Sequence, residues 1–281
     1  MNLNEGNYFS KEAMTEYCSV SQLKAFIGCP AKAGCEEREL AKLHGLYEEE
    51  HSDALTIGSY VDIALTGTPE EMEQFMERHP EIFSSRGATK GQLLAKYQNA
   101  NDMVERAKKD KKFMATLSGE HQRIMVGELF GVPFKVKLDS LLPNAIVDLK
   151  TVASIRETHY DPVSGRRMNF IEWWDYILQM AVYQEIVRQN TGNKLPCFIS
   201  AISKEKTPDI EVIHIPDELM EERLFGNPSL GIPSLEDAIQ NVQLLKQGIV
   251  KPEKCCSCDY CKSKKEIIKP ISFYELGGEV G

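Results

Sequence analysis

Three short extended segments follow one another between residues 121 and 150, and they constrain the fold more than any other part of the chain. Val132 to Leu141 alternates Phe134, Val136 and Leu138 with Lys135, Lys137 and Asp139, the two-residue period of a strand with one buried face. Before it, His121 to Phe130 reads as a strand that ends in a turn around Gly131. After it, Pro143-Asn144 makes a turn into the apolar run Ala145 to Lys150. Strands joined by such short connections predict an antiparallel meander.

The flanks have a different texture. Residues 1–115 read as helical: Ser21 to Ile27 opens with a capping residue and carries apolar residues at helical spacing. Asp53 to Leu65 predicts a second helix, in which Gly58 and Ala64 permit close packing. A third starts near Pro69, and Gln92 to Lys109 predicts a long amphipathic fourth. Beyond the strands, Thr158 to Asn169 reads as a loop with turn signals at Asp161-Pro162 and Ser164-Gly165. Phe170 to Gln189 predicts one strong helix. Leu195 to Ile202 and Ile210 to Ile215 are strand-like, and Ser234 to Lys246 is a last helix. This order predicts a mixed α/β core wrapped by N-terminal helices.

Asp148 and Lys150 are two apart on the third strand and so share a face with Ile146, while Val147 and Leu149 face the other way. The bland reading is a surface ion pair at a strand end. The chemical reading adds Asp139 and Glu128 from the preceding strands: grouped carboxylates hold Mg²⁺ or Mn²⁺ for phosphodiester hydrolysis, and a lysine beside the ion positions water or stabilises the transition-state oxyanions. The net charge of −9 argues against nucleic acid only weakly, because bound cations reverse the local sign of such a site. The runs Arg106 to Lys112 and Lys262 to Lys265, and Arg156, Arg166 and Arg167, are solvated surface or phosphate contacts. Trp173-Trp174 packs in the core or stacks on a base.

The eight cysteines are unevenly spread. Cys255, Cys258 and Cys261 have C-x2-C-x2-C spacing, which inside a cell points to a metal or an iron–sulfur cluster with a fourth position to fill. Zinc, and free reduced thiols, remain alternatives. Histidines are scattered without metal-ligand pairing, and no phosphate loop of an ATP-driven motor is present. No apolar run approaches a membrane span, and the start Met1 to Glu5 has no secretory character. The expectation is a cytoplasmic protein.

The order of these motifs resembles the PD-(D/E)xK nuclease superfamily, and most closely its RecB-like branch. Asp139, then Asp148-Leu149-Lys150-Thr151, then Gln179 and Tyr183 four apart on one helix face, follow that branch's signature, with Val136 in place of a glycine. Ser19 to Pro30 is similar to its opening helix. The resemblance implies a restriction-endonuclease-like core, a central mixed sheet flanked by helices, with an N-terminal helical region (1–115), a core (116–250), a cysteine-rich staple (251–265) and a tail (266–281) in one nuclease domain.

It also implies roles. Asp139 and Asp148 would be metal ligands, Lys150 the catalytic lysine, Glu128 an assisting acid, and Gln179 and Tyr183 phosphate contacts or buttresses. Asp62 stands where relatives carry a histidine ligand, and reads equally as a ligand or a helix-surface residue. Cys29 would complete a [4Fe–4S] site with Cys255, Cys258 and Cys261, with Cys35 a weaker candidate and zinc the less favoured metal. The layout is similar to phage RecE-type exonucleases, which implies linear duplex DNA as substrate, a single-strand-annealing recombinase as partner and a homo-oligomer. A CRISPR-associated nuclease acting on single-stranded ends and a non-catalytic DNA-binding module are the alternatives.

Overall fold

The structure, a computed structural model, describes residues 1–49, 52–267, 269–270 and 272–273. The expected tail therefore lies mostly outside the described residues. In chain order the helices and strands are α1 (Lys11–Glu16), α2 (Val20–Ile27), α3 (Glu36–Leu43), α4 (Asp53–Thr66), α5 (Pro69–Arg78), α6 (Asn99–Lys108), α7 (Lys111–Thr116), β1 (Glu120–Leu129), β2 (Val132–Leu142), β3 (Ala145–Val152), β4 (Thr158–Asp161), β5 (Arg166–Asn169), α8 (Phe170–Trp173), α9 (Tyr176–Thr191), β6 (Cys197–Ser203), β7 (Ile210–Ile215), α10 (Asp217–Phe225), α11 (Glu236–Lys246) and α12 (Asp259–Ser263).

The central sheet has the order β1-β2-β3-β6-β7. β1, β2 and β3 form the antiparallel meander that the alternation predicts. β6 then pairs parallel to β3, with Ile146 opposite Cys197 and Lys150 opposite Ala201. That parallel step requires a crossover, which α9 supplies. β7 closes the sheet antiparallel to β6.

The two faces of β3 enter different cores. Ile146 joins Phe134, Val136 and Leu138 of β2 against Leu178, Val182 and Ile186 of α9. Val147 and Leu149 pack with Val61 of α4, Met103 of α6 and Phe113 of α7. The strand is thus apolar on both faces, as a sheet covered by helices requires. Asp148 and Lys150 are the charged exceptions, and Gln179 of α9 reaches the first of them.

Three local expectations are corrected. Gln92 to Lys109 is not one helix, because Leu94 is extended and a single 3₁₀ turn, Ala95–Tyr97, precedes α6. The stretch 158–169 is a β-hairpin with Asp161 opposite Arg166. There, Asp161 accepts from the backbone N–H groups of Val163 and Ser164 and so organises the turn. The helix expected from Phe170 to Gln189 breaks at Asp175, which adopts a left-handed φ of 50° and caps α9 by accepting from Leu178 N. Asp175 is held there by Arg223, at 2.7 Å. Among the described residues, no helix is long and apolar enough to cross a membrane.

Candidate active site

β2 and β3 pair through Ser140–Val147, Leu141–Ile146 and Leu142–Ala145, and then separate. Asp139 and Asp148 stand at the first unpaired level of this fork. Asp139 Oδ2 accepts the backbone N–H of Leu149 at 2.9 Å, so its carboxylate replaces the missing ladder bond and is held between the strands.

Asp148 is 1% exposed. Its Oδ1 accepts from Gln179 Nε2 at 2.8 Å, and the same amide donates to Tyr183 Oη at 2.9 Å. The four-residue spacing of Gln179 and Tyr183 sets both over the strand from one face of α9. Asp148 Oδ2 lies 2.5 Å from Lys150 Nζ but receives no hydrogen bond of proper geometry. Lys150 Nζ also sits 4.8 Å above the Tyr176 ring, and Lys24 Nζ lies 5.2 Å from the same ring while donating to Trp174 O.

Asp62 enters from α4. Gln122 Nε2 donates to Asp62 Oδ2 at 2.8 Å and reaches Asp139 Oδ1 at 3.5 Å. Thr66 donates to the other oxygen of Asp62. Gln122 falls between the pairs Arg123–Leu138 and His121–Ser140. Its φ of 50° interrupts the ladder there, a conformation unusual for a residue other than glycine.

The electrostatics follow from crowding three acids into a poorly solvated fork. Burial, then repulsion from Asp148 and Asp62, holds the Asp139 carboxyl well above the usual carboxylate range. Burial raises Asp62 as well. Burial acts to lower the Lys150 ammonium, but Asp148 and then Asp139 outweigh it and keep the group charged. Lys24 is lowered by burial and by Lys150. With all three carboxyls ionised, the fork would hold more negative charge than Lys150 balances. That surplus, the incompletely bonded Asp148 Oδ2 and the all-oxygen donor set fit a hard divalent cation.

Two expected residues are not brought to these groups. Glu128 is exposed at the far end of β1, opposite Pro133, six residues or about 20 Å from the level of Gln122. Counting outward from the turn at Gly131 pairs Asp139 with position 122, so the hairpin itself carried the signal. The second is Cys29, which forms a bridge with Lys32. Gly28, at φ 86°, and Gly34, where a Cβ would meet Phe26 O at 2.2 Å, fold this loop tightly back on α2. Cys35 then starts α3, and it is Cys35 that lies with Cys255, Cys258 and Cys261, their sulfurs all within 4.8 Å of one another. The C-terminal segment is tied there by Glu36, which accepts from Glu253 N and from Asn241. Four cysteine thiolates are, as a class, ligands for a single metal ion or an iron–sulfur cluster. Gln122, Lys24 and Tyr176 are site residues that no sequence motif singled out.

Other expected contacts are engaged within the protein. Arg156 pairs with Glu211, Arg166 with Glu172, and Arg167 donates to Thr158. Trp173 stacks on His159 at 4.9 Å, whereas Trp174 is exposed.

A family model described as a PDDEXK-like domain of unknown function (DUF3799) matches residues 19–264. The chain is also similar to a "Putative exonuclease" from Eubacterium rectale, solved by crystallography at 2.19 Å. The match has 40% sequence identity and a TM-score of 0.88, and covers 100% of both chains. No curated protein matches. With the fork geometry, the helix-mounted Gln179 and a family match across most of its length, this chain belongs to the PDDEXK-like family.

Proposed function

We propose that this chain is a divalent-metal-dependent exonuclease that hydrolyses phosphodiester bonds at the ends of linear duplex DNA. The observation that carries the reading is the β2–β3 fork, where Asp62, Asp139 and Asp148 converge beside a charged Lys150. The similarity over the whole chain to a protein described as a "Putative exonuclease" supports action at ends.

In this reading Asp62, Asp139 and Asp148 hold Mg²⁺ or Mn²⁺. The ion, when bound, supplies an acidified water and neutralises charge on the phosphoryl oxygens. The chain's own residues do the rest. Gln179 fixes one oxygen of Asp148 and leaves the other directed at Lys150. Gln122 spaces Asp62 from Asp139. Lys150, kept protonated by its acidic neighbours, donates hydrogen bonds to anionic oxygens formed as phosphorus is attacked. Lys24, beside the same tyrosine ring, is a second cation for the substrate phosphate.

The resemblance to RecE-type enzymes supports a role in phage-type recombination, with a single-strand-annealing protein as partner and a homo-oligomeric assembly. The test offers linear duplex, covalently closed circular duplex and single-stranded DNA with Mg²⁺ or with EDTA. Mg²⁺-dependent loss of linear duplex alone is expected. Cleavage of closed circles would contradict end-directed action, and digestion of single strands alone would move the reading to a single-strand nuclease. DNA binding without cleavage under either Mg²⁺ or Mn²⁺ would leave a binding module.

A further inference from the structure

The cysteine cluster shares no residue with the acidic fork, and its dimensions discriminate between the groups four thiolates can hold. Cys35 Sγ lies 3.6 Å from Cys261 Sγ, Cys255 Sγ lies 3.9 Å from Cys261 Sγ, and no pair among the four exceeds 4.8 Å. A tetrahedral ion with metal–sulfur bonds of about 2.3 Å sets its ligand sulfurs about 3.8 Å apart. A cubane interposes its own irons and sulfides and spreads the four thiolates to roughly 6 Å. Two of the separations match the first arrangement, and none reaches the second.

We propose that Cys35, Cys255, Cys258 and Cys261 hold a single zinc ion as a structural tetrathiolate centre, and that the [4Fe–4S] cluster implied by the resemblance does not fit here. Expansion is opposed on both sides. Cys35 is 2% exposed, and its backbone N–H is bonded to Ala25 O on the end of α2. Cys261 is 7% exposed within α12, where the neighbouring Tyr260 packs edge-on to Tyr47 at 5.1 Å. The short C-x2-C-x2-C segment also hydrogen-bonds its own sulfur: Cys258 N and Ser257 Oγ both donate to Cys255 Sγ, at 3.3 and 3.6 Å. Such bonds favour a thiolate, the ligand form. Binding releases the protons of whichever thiols are still protonated and changes no oxidation state.

The centre joins segments more than 200 residues apart, so the ion closes a long loop on the N-terminal helices. It cross-links the start of α3 to the segment that follows α11. Cys29, held in its own turn, and Cys256, exposed with a φ of 58°, stand outside it.

The experiment supplies both iron and zinc during expression, purifies the full chain without oxygen, and measures metals, acid-labile sulfide and visible absorption. About one zinc per chain, no sulfide and no absorption near 400 nm are expected. Anaerobic reconstitution with ferrous iron and sulfide should leave the zinc in place. Cobalt substituted for zinc should give the intense visible bands of a tetrahedral thiolate complex. Cys29→Ser should keep full zinc content and Cys35→Ser should lose most of it. If Cys35→Ser does not fold, the cobalt spectrum of the wild-type chain decides alone. Stoichiometric iron with or without sulfide, or purified protein with no metal and four titratable thiols, would overturn the proposal.

Discussion

Gln179 Nε2 donates to Asp148 Oδ1 across 2.8 Å, so a helix residue orients the most buried carboxylate of the strand fork. The contact joins the crossover helix α9 to β3 and leaves the second oxygen of Asp148 facing Lys150. Partners of this kind typically change metal affinity or activity by about 10–100-fold when removed. Gln179→Ala is expected to lower the cleavage rate by about that factor and to raise the Mg²⁺ concentration for half-maximal rate. Gln179→Glu, which sets a second carboxylate against Asp148, should be worse. Titrating Mg²⁺ against rate for both variants checks this, and an unchanged Mg²⁺ requirement would remove Gln179 from the site.

Asp62 and Glu128 exchange the weights expected from their motifs. Asp62 shares Gln122 with Asp139, whereas Glu128 faces solvent at the other end of the hairpin. Glu128→Gln should keep the rate within about twofold, and Asp62→Asn should reduce it at least about tenfold. Steady-state rates on one linear duplex compare the two directly.

Removing a carboxylate from the crowded fork should stabilise the metal-free chain. Asp139 binds its proton more tightly folded than unfolded, since burial and Asp148 raise its pKa. The folded state therefore carries more protons above pH 3.8, and this group's contribution to stability falls as pH rises from there toward the raised value. Asp139→Asn is expected to melt higher than wild type in EDTA at pH 7.5, with a smaller gap at pH 4.5. Mg²⁺ should raise the melting temperature of the wild type more than that of the variant. Equal Mg²⁺ shifts would count against Asp139 as a ligand.

Lys135 gives a second pH signature, away from the fork. It is 2% exposed, donates to Tyr8 O and lies over the Tyr8 ring at 4.6 Å, with no carboxylate partner among the described residues. Burial, with Lys246 nearby, pushes its pKa down to about 8 from 10.5. Between these values the unfolded chain binds more protons, so stability rises with pH through that window. Lys135→Met removes this gain. The variant's stability relative to wild type should decline by on the order of 2 kcal/mol between pH 7.5 and pH 10, measured by denaturant unfolding.

Much of this was legible in the chain because period and spacing are local properties. The alternation at Phe134, Val136 and Leu138 gave β2, and the two-residue step from Asp148 to Lys150 gave a shared face that the fork preserves. The four-residue step from Gln179 to Tyr183 likewise became a real contact. What stayed hidden depended on register and on loops. Gln122 reaches the acids only because the hairpin sets it opposite Asp139 and its backbone departs from the ladder. The exchange of Cys29 for Cys35 rests on how closely two backbones cross at Gly34, which spacing along the chain does not express. The break at Asp175 depends on Arg223, 48 residues away.

In the proposed reaction, Asp148 and Lys150 cut phosphodiester bonds together with a divalent ion. The most direct measurement is single-turnover cleavage of an end-labelled linear duplex by wild type, Asp148→Asn and Lys150→Met. Mg²⁺ should be saturating, and folding should be verified by circular dichroism. Rates about 10³-fold or more below wild type are predicted for both variants, with DNA binding retained. A folded variant of either residue that cuts at the wild-type rate would contradict the account.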